Sequence, residues 1–113
     1  FGALSGHSAA GMISELANLS PRVLVARSRH SRSAPSAVIS DIVSAQGLPV
    51  VFQTENVAEA TRCALEMVEE KDLLLGTGSL SVAAEIIEEI RGIEPEIYPN
   101  IKRPADAPAN VAV

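Results

Sequence analysis

The chain has 113 residues, 47% hydrophobic and 20% charged, with a formal net charge of -5; that length suits one compact domain and leaves no room for a second. Its single cysteine, Cys63, forbids an intrachain disulfide, and the Ala, Val, Ile and Leu content is ample for a core without one. No apolar run approaches the roughly 20 residues of a membrane helix and no basic-then-apolar leader is present, so the sequence reads as soluble, with the cytoplasm as the fitting compartment.

Residues 1–54 carry Arg22, Arg27, Arg29 and Arg32 against only Glu15 and Asp41, while the acidic excess lies in residues 55–113. Phe1, Phe52 and Tyr98 are the only aromatics, and a nucleic-acid binder would be basic overall with aromatics for stacking, so that class is excluded. A start at Phe1 rather than Met suggests a piece of something longer.

In chain order, residues 1–4 read as the end of a strand. Residues 9–19 place Met12, Ile13, Leu16 and Leu19 on one helical face, stopped by Ser20-Pro21. Residues 22–26 (RVLVA) predict a strand buried on both faces. After a polar loop, Pro35 sits in the first turn of a helix that buries Val38, Ile39 and Ile42 and ends at Gly47. Residues 48–53 (LPVVFQ) are a third strand. Asn56 and Glu59 then have capping-box spacing at the head of a helix running to about Lys71, with Val57, Ala60, Ala64 and Met67 inward, Cys63 beside them and Glu66, Glu69 and Glu70 in solvent. Residues 72–75 (DLLL) predict a fourth strand, Gly76-Thr77-Gly78-Ser79 a turn, and Val82, Ala83, Ile86, Ile87 and Ile90 the inward face of a last helix closed by Gly92. Residues 94–113 hold four prolines and no clear period, so they are an extended strand plus tail or disordered.

Strands alternating with helices imply an α/β fold: a Rossmann-like three-layer sandwich with a mostly parallel sheet and helices on both faces. Ligands of such sheets bind beyond the carboxyl ends of the strands, so the loops after strands are the candidates. One is Ser5-Gly6-His7-Ser8. A second, residues 26–32, holds Arg27, Arg29, His30 and Arg32 with no carboxylate nearby in sequence; its like charges call for an anion or an acidic surface. The third is Gly76-Thr77-Gly78-Ser79, where two glycines, two hydroxyls and a following helix N-terminus suit an anion, although a plain strand-to-helix turn with Ser79 as N-cap has the same sequence. A dinucleotide fingerprint fits less well, because Ser81 stands at the third glycine position. His7 and His30 lack partners at ligand spacing, so no metal site is expected, and Cys63 reads as a core residue. No phosphate loop, nucleophile elbow or zinc helix motif is present, so a complete active site is not expected on this chain.

Phe1-Gly2-Ala3-Leu4-Ser5, Gly11-Met12 with Glu15-Leu16, the run from Arg22 to Pro35 (RVLVARSRHSRSAP), and Asp72-Leu73-Leu74-Leu75-Gly76-Thr77-Gly78-Ser79-Leu80 with Ala84-Glu85 together resemble the C-terminal domain of folylpolyglutamate synthase/dihydrofolate synthase, in the Mur ligase superfamily. The resemblance covers about residues 1–92, and makes residues 1–93 the domain and 94–113 a Pro-rich extension. It implies a domain that closes over the central ATPase domain of the same polypeptide. There ATP, with Mg, phosphorylates a folate or pteroate carboxylate, and the amine of L-glutamate attacks the acyl phosphate. On this reading Thr77, Gly78 and Ser79 hold the carboxylate of the incoming glutamate. Ser5, His7, Arg27, Arg29, His30 and Arg32 face the interdomain cleft. ATP and Mg are held mainly by the other domains, none is bound by this chain alone, and the isolated domain is inactive. Members of the family commonly read Ser-Asp-Lys-Asp where this chain has Ser5-Gly6-His7-Ser8, so a lysine becomes His7 and two carboxylates are lost. Competing expectations are a freestanding module that binds an anionic metabolite without catalysis, and an interaction domain whose arginine loop docks on an acidic protein.

Overall fold

The computed structural model describes residues 1–95, so the expectation for the extension beyond Pro95 lies outside the described residues. Among the described residues, four helices and two parallel strands make a small α/β fold: α1 (Ala9–Leu16), β1 (Val23–Ala26), α2 (Ser36–Ala45), β2 (Val50–Thr54), α3 (Val57–Met67) and α4 (Leu80–Arg91). A 3₁₀ turn, Ala17–Leu19, extends α1. No helix among the described residues is long and apolar enough to cross a membrane.

Local chemistry sets the helix boundaries. Ser8 Oγ accepts from Gly11 N at 3.1 Å to start α1, and Ser20 in the left-handed region (φ 48°) stops the turn that follows it. Pro35 is the N-cap of α2. Asn56 Oδ1 accepts from Glu59 N at 3.0 Å at the head of α3, but the expected box is only half made: the Glu59 carboxylate takes the Thr54 hydroxyl instead, and Thr54 Oγ1 accepts from Asn56 N at 3.2 Å. The helix stops at Met67, four residues before Lys71. Val68 turns extended, and both Glu69 N and Asp72 N make 2.9 Å bonds within a tight turn, to the Asp72 carboxylate and the Glu69 carbonyl. A short polar side chain that satisfies nearby backbone competes with helix continuation.

The two strands pair in register from Leu24 opposite Phe52 to Ala26 opposite Thr54, with a shift of one residue after the Val23 and Val50 pair. Alternation along β1 sends its side chains to two apolar clusters. Val23 and Val25 join Ile13, Ile39 and Val43 of α1 and α2, whereas Ala26 joins Val57, Ala60 and Val82 of α3 and α4. Expected inward positions Leu19, Val38, Ile87 and Ile90 are exposed instead, Leu19 to 72%. Leu19 follows the 3₁₀ tightening, which rotates it off the face shared by Ile13 and Leu16. On α4 the inward register belongs to Val82 and Glu85, so Ile87 falls outside.

Two expected strands are corrected. Residues 72–75 are not a strand among the described residues: Leu73, Leu74 and Leu75 are all exposed, Leu73 to 89%. Residues 1–4 are not a named strand either, although Phe1 N donates to Leu24 O at 2.7 Å and Phe1 O accepts from Ala26 N at 2.9 Å, the spacing of a parallel pair. Gly2 N then reaches Thr77 O at 3.4 Å.

Candidate functional site

The three loops singled out by sequence meet at one end of β1. The first is stitched to the second through the backbone: Ser5 N donates to Arg32 O at 2.7 Å, Ala34 N to Ala3 O at 2.8 Å, and Leu4 and Ser33 form an antiparallel bridge. The second is stitched to the third through hydroxyls. Ser28 Oγ bonds Ser33 Oγ and, at 2.9 Å, Ser81 Oγ; Ser81 Oγ lies 3.0 Å from Ser79 Oγ; and Ser79 Oγ accepts from Val82 N at 3.2 Å as the N-cap of α4. Ser28 and Ser33 are buried, Ser79 and Ser81 half-buried. Ser28, Ser33 and Ser81 were not singled out from the sequence, because serines in a polar loop carry no periodic signal.

Ser79 thus has the capping role that a plain turn requires. Gly78 has a steric reason as well: it adopts φ +116°, and a Cβ there would come within 2.0 Å of the Gly2 carbonyl oxygen. Thr77 is half-buried, and its carbonyl receives Gly2 N.

The arginine loop departs from expectation in its charge balance. Carboxylates distant in sequence reach it. Arg29 Nη1 lies 3.2 Å from Glu85 Oε1 and Nη2 2.8 Å from Glu88 Oε2, and Arg29 N donates to both Glu85 oxygens at 3.2 and 3.0 Å. Arg27 Nη1 lies 3.3 Å from Glu55 Oε2. The loop is therefore largely neutralised within the chain. Glu55 also accepts from the N–H and the hydroxyl of Ser36 at the start of α2, and these bonds, with Arg27 nearby, hold its carboxyl below the usual glutamate range. His30 Nδ1 accepts from Arg32 N at 3.0 Å, which folds the loop on itself. Ser5, His7 and Arg32 are exposed.

Beside the turn, an apolar groove of about 440 Å³ is lined by Phe1, Leu16, Leu24, Leu74, Ile86 and Ile90, with Gly76 and Thr77 at its edge. Among the described residues no group of three or more His, Cys, Asp or Glu is placed to hold a metal ion. No family model, curated protein or solved structure matches the chain.

Proposed function

We propose that this chain is the C-terminal, amino-acid-binding domain of an ATP-dependent amide ligase that adds L-glutamate to folate or dihydropteroate, with a Rossmann-like three-layer build and a cytoplasmic setting. The observation that carries the reading is the chain of hydroxyls from Ser33 through Ser28 and Ser81 to Ser79, which draws the loop after β1 and the N-terminus of α4 into one rim. Hydroxyl donors beside the positive end of a helix suit a carboxylate. The bonds of Phe1 to Leu24 and Ala26 support a sheet that extends past β1 on its Phe1 side.

In this reading Thr77, Gly78 and Ser79 receive the glutamate carboxylate. Ser5, His7, Arg27, His30 and Arg32 border the cleft towards the phosphates, and Arg29, engaged by Glu85 and Glu88, holds the loop in place. The chain supplies position and electrostatics, bringing the amine to an acyl phosphate formed on the ATPase domain. Catalytic groups, ATP and Mg belong to that domain of the same polypeptide. Glutamate-dependent ADP release, measured for the complete ligase and for the 113-residue chain, tests this. The complete enzyme is expected to turn over and the chain alone to be silent; turnover by the chain alone overturns the assignment.

A further inference from the structure

We infer that Glu85 is a positioning residue that locks the loop after β1 onto α4 and so fixes the spacing of the rim hydroxyls. The inference rests on the reading of that rim as an amino-acid site. The Glu85 side chain is 3% exposed and sits one residue from Ile86 and three from Val82, which both pack into the apolar cluster between α3, α4 and β1. A carboxylate is tolerated there only if charge and hydrogen bonds replace its water. Arg29 provides both. Its main-chain N–H reaches the two carboxylate oxygens and its guanidinium reaches Oε1, while the second arm of the fork goes to Glu88.

The main-chain bond is the informative one, since an ordinary surface ion pair leaves the backbone free. Ser81 and Glu85 are four residues apart on α4, so they share a face one turn apart. They grip consecutive loop residues: Ser81 holds the Ser28 hydroxyl and Glu85 holds the Arg29 backbone. Moving the Arg29 amide would carry Ser28 with it, and with Ser28 the hydroxyl chain to Ser79 and Ser33. An apolar residue at position 85 would satisfy the core equally well, so a buried charge there points to geometry as its use.

The test compares Glu85→Ala and Glu85→Gln. In the complete ligase, Glu85→Ala is expected to raise KM for L-glutamate about tenfold while kcat stays within about twofold and KM for ATP is unchanged, the pattern of lost ground-state positioning. Glu85→Gln keeps one carbonyl oxygen for the Arg29 N–H but loses the charge, and should leave KM raised about threefold. In the 113-residue chain, amide exchange at Arg29 and Ser33 should speed up about tenfold in Glu85→Ala, with the amides of α2 unaffected. If Glu85→Ala does not fold, Glu85→Gln decides alone, through a KM and an Arg29 exchange rate intermediate between wild type and a tenfold change. A variant that is less stable yet keeps wild-type KM and wild-type exchange at Arg29 overturns the inference. If the wild-type ligase shows no glutamate-dependent turnover, the ligase reading falls, and unchanged exchange at Arg29 in the variants would separately show that Glu85 does not hold the loop.

Discussion

Gly78→Ala measures how tightly the turn before α4 is pressed against the start of the chain. Two costs add. An L-residue at φ +116° sits outside its favoured regions, at about 1–3 kcal/mol. The new Cβ would also lie 2.0 Å from the Gly2 carbonyl oxygen, and backbone cannot rotate aside as a flexible side chain can. Relieving that contact means moving Phe1 and Gly2, whose bonds to Leu24, Ala26 and Thr77 would stretch, so overpacking of about 1–3 kcal/mol is expected in addition. The sum is about 2–6 kcal/mol, and a central value of about 4 kcal/mol corresponds to a fall in Tm of about 16 °C for a domain of this size. Gly47→Ala is the control. Gly47 has φ +76° with nothing within 4 Å of a built Cβ, so it isolates the conformational cost, about 1 kcal/mol. Circular dichroism melts and urea titrations of the three proteins provide the comparison. If Gly78→Ala and Gly47→Ala agree within about 0.5 kcal/mol, the claimed contact between the turn and Gly2 is refuted.

Ser79→Ala should cost about 1 kcal/mol in urea unfolding from loss of the α4 cap, and a cost near zero would remove Ser79 from that role. Ile13→Ala should cost about 2–5 kcal/mol whereas Leu19→Ala should stay within about 0.5 kcal/mol, although both lie on the same expected helical face; equal effects would contradict the 3₁₀ tightening after α1. For Glu55, the folded carboxyl titrates below its unfolded value of 4.5, so its contribution is fully present above that pH and is lost as pH falls through the folded value. Glu55→Gln should therefore be less stable than wild type at pH 7, with the difference shrinking as pH falls below 4.5; a gap independent of pH would show that the charge is irrelevant.

Helix existence was legible because caps and periodicity are local. Ser8, Asn56, Ser79 and Gly92 each stand where a helix begins or ends, and Ile13, Ile39, Val57, Ala60, Ala64 and Val82 proved buried as their spacing predicts. Strand count was less legible, since DLLL has the composition of a buried strand but a strand exists only through its ladder, and Leu73 to Leu75 make none among the described residues. The convergence of the three loops is not a matter of strand ends alone, because residues 1–4 and 72–75 are not named strands; the bonds of Ser5 N to Arg32 O and of Ser28 to Ser81 make it. Their charge state was hidden. Glu85 lies 56 residues from Arg29 and Glu55 28 from Arg27, and a glutamate within an amphipathic helix reads as solvated unless its register against the apolar stripe is known. Ser28, Ser33 and Ser81 gained their importance only from the same long-range closure.

The span of these contacts along the chain bears on kinetics. β1 meets β2 through Val23 and Val50, 27 residues apart with α2 as the crossover, whereas Ser28 and Ser81 are 53 apart and Arg29 and Glu85 56 apart. Each doubling of a closed loop adds about 0.6 kcal/mol of entropic cost, so the strand pair with its crossover is the cheaper nucleus and the serine and carboxylate contacts knit afterwards. Contacts made after the barrier is crossed govern the rate of opening more than the rate of formation. The end of the molecule that presents its hydroxyls is therefore expected to consolidate last and to open first, an order that pulse-labelled amide exchange at Arg29 would report.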